Sequence, residues 1–147
     1  MKLNTKMRYG TRAMLELALR HEQGAVSLRE IAKEQELSEK YLEALFGALR
    51  AAGLVQSLRG PQGGYRLARP PEQITLRVIF DVLEGPEPLA PCTLDHTACS
   101  RWATCVTQDV WAKMYEASMQ VLESTTLADL VSRNQERQSN TPVMYAI

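Results

Sequence analysis

The 147-residue chain has three cysteines, Cys92, Cys99 and Cys105, and all fall in one short stretch. Thiolates are soft ligands for iron and zinc, and they are nucleophiles when their pKa is lowered. An odd number of them, in a chain whose N-terminus MKLNTKMRYG lacks a signal-peptide core, argues for thiols or metal ligands rather than disulfides. The spacing Cys-x6-Cys-x5-Cys lacks the close Cys pair of zinc fingers, and wider spacings are compatible with an iron–sulfur cluster. Spacing alone leaves a cluster, zinc and free thiols all open. Cys105 also stands where a helical pattern begins, and a helix N-terminus favours the thiolate. A thiol enzyme using Cys99 or Cys105 is the reading from another class. No recognisable context supplies the His and Asn or Asp partners it needs.

A second set of residues could meet DNA. Arg59-Gly60-Pro61-Gln62-Gly63-Gly64 turns the chain between two short strand-like runs, with Arg59 at the base. Such glycines let backbone approach a phosphate or enter a minor groove. An ordinary surface hairpin is the plainer reading, and no Gly-Lys-Ser/Thr follows to make a phosphate loop. Ahead of it, Ser38, Glu39, Lys40, Glu43 and Ala44 form the exposed N-terminal half of a helix suited to a major groove. A solvated charged face is the alternative there. Tyr41, Gly60 and Tyr65 complete the set expected at DNA. Glu43 can accept from cytosine N4 but repels phosphate and the acceptor edge of guanine.

The elements that must position these residues follow from periodicity. Thr5 to about Glu22 reads as a helix with Tyr9, Ala13, Met14, Leu15, Leu17, Ala18 and Leu19 on its apolar side. Ser27 opens a second helix, with Glu30 as a capping box and Leu28, Ile31 and Ala32 inward. Ser38 caps a third, to about Ala52, which buries Tyr41, Leu42, Leu45, Phe46 and Leu49 and stops at Gly53. Strand-like runs at 54–58 and 65–68 then form a hairpin. Helices followed by a hairpin are the order of a winged helix-turn-helix. Thr75 caps a helix through Leu83, stopped by Gly85-Pro86. Residues 86–104 form a long Pro- and Cys-containing loop.

From about Cys105 to Glu123 a longer helix carries Val106, Val110, Met114, Ala117 and Val121, broadened by Trp111 and Leu122. Thr126 caps a terminal helix, and from about Gln135 the sequence is polar. The expected fold is mainly α with a small β-hairpin wing. Residues 1–70 would bind DNA, 71–104 connect and carry the cysteines, 105–134 dimerise, and 135–147 form a polar tail.

Charge supports a DNA surface at one end. The chain has 17 Lys and Arg against 17 Asp and Glu. Residues 1–69 carry 12 basic and 7 acidic side chains, whereas residues 70–147 carry 5 and 10. A hydrophobic share of 45% is enough for one or two small cores. No apolar run approaches the roughly 18 residues of a membrane span. A soluble, cytoplasmic protein is expected.

The chain resembles the IscR-, NsrR- and RirA-type bacterial regulators. The likeness rests on MKLNTKMRYGTRAMLELAL, SEKYLEALFGALRAAGLVQSLRGPQGGYRLARP, the three cysteines and TLADLV, and covers about residues 1–131. It implies a homodimeric winged-helix transcription factor whose long helix, here about 105–123, crosses to the partner. The cysteines would hold an iron–sulfur cluster near that crossing, 2Fe–2S in the first place and 4Fe–4S as the alternative. The apolar stripe on this helix suits a dimer seam, although core packing alone would explain it. In IscR-like members a histidine three residues after the third cysteine completes the site; here that position is Gln108. Other branches use an acidic residue or histidine of the first helix, where this chain offers Arg8 and Arg12, which cannot ligate. Asp95, His96 and Asp109 lie near enough in sequence to substitute, as could water, a small thiol or a partner's side chain. The resulting expectation is a repressor that senses iron–sulfur status, redox state or nitric oxide and binds a near-palindromic operator as a homodimer.

Overall fold

The structure, a computed structural model, describes residues 2–142. Helix α1 spans Thr5–Leu19, and its first turn is capped by Asn4, whose side chain accepts from Met7 N–H at 2.9 Å. The helix stops earlier than its pattern implies; His21–Gln23 form a separate 3-10 turn that ends at Gly24. Helix α2, Leu28–Gln35, starts on the capping box read from Ser27 and Glu30, with both reciprocal hydrogen bonds present. The Ser27 backbone N–H and hydroxyl hold the Glu30 carboxyl below its ordinary pKa. Ser38 then caps α3, Glu39–Ala51. Two orphan donors are thus satisfied by serines that the sequence places one residue before each helix.

Strands β1, Val55–Leu58, and β2, Gly64–Leu67, pair antiparallel, with Val55 opposite Leu67 and Leu58 opposite Gly64. A third backbone segment joins the hairpin at one residue. Val26 N–H donates to Tyr65 O and Tyr65 N–H to Val26 O, each at 2.8 Å. Helix α4, Leu76–Leu83, is capped by Thr75, and α5, Val106–Ser124, follows the long loop. Helix α6, Leu127–Ser139, begins on a Thr126–Asp129 capping box. It continues through Gln135, so the described part of the expected polar tail is helical up to Ser139; residues 143–147 of that tail lie outside the described residues. Among the described residues, six α-helices and a two-stranded hairpin make the mainly α winged helix-turn-helix expected from sequence.

One cluster of buried side chains joins α1, α2, α3, the hairpin, α4 and the start of α6. Phe46, Met14, Leu17 and Ile31 are its largest wholly enclosed members. Truncating a side chain such as Phe46 removes about 3–5 kcal/mol. Helices α1 and α4 meet so closely that a Cβ on Gly10 would strike Leu83 Cδ1. By contrast α5 buries only Gln108. Its inner side is made of half-buried Met119 and Leu122, which pack on the core. Leu122 therefore does not broaden the Val106–Val121 stripe as its spacing suggested; it lies on the other side, and the stripe is bare.

Gly64 and Gly47 offer a stability test. Gly64 has φ +149°, and a Cβ there would collide with the Val26 carbonyl that pairs with Tyr65. Gly47 lies in α3 with open space around it. Gly64→Ala should cost about 1–3 kcal/mol. Gly47→Ala should gain about 0.5–1 kcal/mol. Urea unfolding followed by circular dichroism reads both signs.

Candidate functional site

Helix α3 turns Leu42, Leu45, Phe46 and Leu49 into the core, which leaves Ser38, Glu39, Lys40, Glu43 and Ala44 exposed on its N-terminal half. The Ser38 side-chain oxygen already accepts the Tyr41 N–H at 3.3 Å. Tyr41 is half-buried, edge-on to Tyr9 with centroids 6.0 Å apart, and its hydroxyl donates to Thr5 Oγ1 at 3.4 Å. Arg59 and Gly60 are exposed on the turn between the strands, and Gly60 has φ +107°. Tyr65 stands apart from that turn. It is half-buried, with its ring 4.8 Å from that of Phe46, and it secures the hairpin to the core.

Helix α2 is held beside α1 by a polar relay that the sequence reading did not register. Arg12 donates to the side chain of Gln35 at 2.8 Å and to its carbonyl, and Gln35 Nε2 donates to Glu16 at 2.7 Å. Chain reversal after α2 places Glu36 at φ 55°. A non-glycine residue in that region carries some strain. Its N–H bonds back to the last turn of α2, so the turn before α3 is tight.

The cysteine segment is built from two 3-10 turns, Pro91–Thr93 and Trp102–Thr104, joined by irregular chain. Cys92 and Cys105 are half-buried, Cys99 is exposed, and none is in a disulfide. Cys105 is the N-cap residue of α5. Its Sγ lies 3.2 Å from Thr107 Oγ1. The Thr107 hydroxyl, the Gln108 and Thr107 backbone N–H groups and, further off, Arg101 hold the Cys105 thiol below its ordinary pKa.

The candidates for a fourth contact differ in their surroundings. Asp95 folds onto its own neighbour, accepting from Thr97 N–H at 2.9 Å and from Thr97 Oγ1 at 2.6 Å. Those two bonds hold its carboxyl low. His96 is stacked on Trp102 with centroids 4.0 Å apart. Gln108 is buried one turn beyond Cys105, and Asp109 is exposed beside it. Thr107 and Trp102 are the residues that sequence reasoning missed. Thr107 was visible as a hydroxyl two residues beyond a helix-opening cysteine, and Trp102 as an aromatic between two cysteines.

Residues 3–133 match the profile of the Rrf2 family of iron-dependent transcriptional regulators. The chain belongs to the Rrf2 family. It is 45% identical over 132 residues to the HTH-type transcriptional regulator CymR of Bacillus subtilis, covering 90% of this chain and 91% of that one. Solved structures agree. IscR of T. potens superposes with a TM-score of 0.80 at 42% identity, covering 99% of this chain and 97% of the other. CymR, the global cysteine regulator of B. subtilis, gives 0.79 at 42% identity, over 90% and 98%. These relatives are regulators, so the Rrf2 chain is a transcriptional regulator and not an enzyme. Among the described residues no helix is long and apolar enough to cross a membrane.

Whether the Rrf2 cysteine segment suits an iron–sulfur group is a question of its donors. Three free thiols in one short segment are the soft donor set iron takes. A buried indole N–H without a partner, that of Trp102, lies in the same segment. The chemistry fits. The donors are not pre-gathered, because no three His, Cys, Asp or Glu side chains among the described residues form a metal-holding group.

The Cys105 environment has a direct readout in metal-free protein. Peptide-level iodoacetamide alkylation should give Cys105 a pH midpoint below the ordinary thiol value of about 8.5. A lowered pKa keeps the thiolate as pH falls, so reactivity persists to lower pH than for a free thiol. Thr107→Val removes the hydroxyl's hydrogen bond to Cys105 and should move the midpoint up; an unmoved midpoint would assign the effect to the backbone.

Proposed function

We propose that this chain works as a homodimeric repressor whose cysteine-held iron–sulfur group sets its affinity for a near-palindromic operator. The observation that carries the reading is the situation of α5. This one helix begins at Cys105, bears an uncovered apolar stripe, and ends on the residues that open α4. Val106 is 81% exposed, Val110 51%, Met114 43% and Val121 62%. Four large apolar side chains on one face of one helix are what a second copy covers, and fully covering each contributes about 1.5–3 kcal/mol. An apolar cavity of about 480 Å³ between the N-terminal segment, α4 and α5 runs onto the same face through Val121.

At DNA, the N-terminal half of α3 offers Ser38, Glu39, Lys40, Glu43 and Ala44 to base edges. Arg59 and Gly60 extend the contact through the hairpin turn, and Tyr41 and Tyr65 brace those two elements from behind. Two copies related by a two-fold axis would present two such units to half-sites, which is why the operator should be near-palindromic. Residues 1–70 serve DNA, 71–104 connect and sense, and 105–134 dimerise.

Cys92, Cys99 and Cys105 would hold the group, 2Fe–2S first and 4Fe–4S as the alternative. Gln108, Asp109, His96, Asp95 or an external ligand would supply a weak fourth position. When bound, the cluster supplies a centre that oxygen or nitric oxide can attack. Cys105 is the start of α5, so any change in how the loop is held acts on the end of the dimer helix. The opposite end is bonded to the residues that open α4, and α4 packs on α1 and α3. Loop state and operator affinity thereby share one rigid element.

A metal-free redox switch is the second reading. The observation that favours it is the Thr107 hydroxyl 3.2 Å from Cys105 Sγ, which together with the first backbone N–H groups of α5 lowers the pKa of that thiol. Iron and sulfide analysis of anaerobically purified protein separates the two.

Arg59→Ala should weaken operator binding by about 1–3 kcal/mol. It should also reduce the salt slope by roughly one unit if the arginine meets a phosphate. Glu43→Ala should relax sequence choice more than it lowers affinity. Anisotropy titrations across salt concentrations and selection from a random duplex library read these effects. In the cluster, any single Cys→Ala change should abolish the visible chromophore, Gln108→Ala should leave most of it, and Gln108→His should slow its loss in air. Complete bleaching by Gln108→Ala would make the amide a ligand.

A further inference from the structure

Trp102 Nε1 is a buried side-chain nitrogen with no hydrogen-bond partner among the described residues. An indole N–H can only donate, and buried tryptophans usually find an acceptor because an unpaired buried donor is costly. Its location narrows the choice of acceptor. Trp102 opens the 3-10 turn between Cys99 and Cys105, and its backbone N–H donates to Cys99 O at 3.2 Å. Its ring lies on that of His96, with centroids 4.0 Å apart and planes 24° apart. His96 belongs to the other arm of the segment, between Cys92 and Cys99. The stack therefore clips the two arms together and restrains the indole from swinging out to solvent. No acceptor among the described residues reaches that N–H, and the same segment carries three free sulfurs.

We propose that Trp102 is a positioning residue for the iron–sulfur group, its indole N–H donating to a sulfur of the set held by Cys92, Cys99 and Cys105. The assignment rests on the cluster reading above. Hydrogen bonds to cluster sulfurs withdraw electron density and raise the reduction potential. The stack on His96 supplies the orientation, and the N–H supplies the tuning.

The test compares the full-length parent with Trp102→Phe and Trp102→His, each assembled anaerobically with iron and sulfide. Phenylalanine keeps a ring against His96 and removes the donor; histidine keeps a ring and restores an N–H. Iron and sulfide analysis comes first, then a redox titration. Equal loading, a lower midpoint potential in Trp102→Phe and its partial recovery in Trp102→His support the assignment. So does loss of the cluster from the Phe variant alone. Equal potentials in all three overturn it, as do equal potentials in the two variants or loss of the cluster from both, since bulk rather than the donor would then be what matters. A parent that holds neither iron nor sulfide overturns the cluster reading itself, and this inference with it.

Discussion

Two backbone hydrogen bonds decide where the longest helix stands. Leu76 N–H donates to Thr125 O at 2.8 Å and Leu127 N–H to Ile74 O at 2.9 Å, around the facing pair Thr75 and Thr126. The two threonines are also helix caps, Thr75 for α4 and Thr126 for α6. One short rung thus starts two helices and ends a third. Ile74 and Leu127 on either side of it are wholly buried, so water does not compete for these bonds. Once the rung is made, α5 is fixed at its C-terminal end, and its 19 residues reach about 28 Å from that point. Cys105 sits at the far end.

Such a lever is of little use unless it is stiff, and an isolated helix of this length is marginal in water. The chain gives α5 only partial cover through α4, with Met119 and Leu122 against the core and Gln108 buried near the start. The opposite side is left apolar and bare, a composition that burial would reward and solvent penalises. The DNA-binding unit shows the reverse economy. Every helix there is capped by its own sequence, Gly10 permits close α1–α4 contact, and the hairpin is tied to Val26 and Phe46. A closely packed N-terminal unit and an incompletely covered long helix are what the proposed dimeric switch needs. The two halves also differ in charge in that sense, basic at the reader and acidic along the lever.

The helix starts were legible because capping is local. Ser27, Ser38, Thr75 and Thr126 each precede an apolar period, and the bond each makes spans only three residues. The fold class followed, because helices before a glycine-rich hairpin admit few other arrangements. What the sequence hid was which side of an amphipathic helix faces its own core. The Val106–Val121 stripe and the Leu122 side are both apolar, and only tertiary contact through α4 shows that the weaker side turns inward. Polar continuation of α6 to Ser139 was hidden for a related reason, since a helix without an apolar stripe has no period to read. The half-burial of Tyr65 was hidden as well, because the Val26 segment that pairs with it is 39 residues away in the chain.

The cysteine segment was legible as chemistry but not as geometry. The hydrogen bonds described for this run of turns span four residues or fewer, and none of them joins one cysteine to another. That separation matters for the proposed sensing. A site pre-gathered by its own backbone would hold metal whatever the conditions, whereas one assembled partly by the bound group loses its shape when the group is lost. Cys105 is the exception, anchored by Thr107 and by the first N–H groups of α5. The one thiol whose position is set is also the one attached to the lever. Cys92 and Cys99 stand on turns outside α5, whereas Cys105 caps the helix whose other end is tied by the Leu76–Thr125 and Leu127–Ile74 bonds.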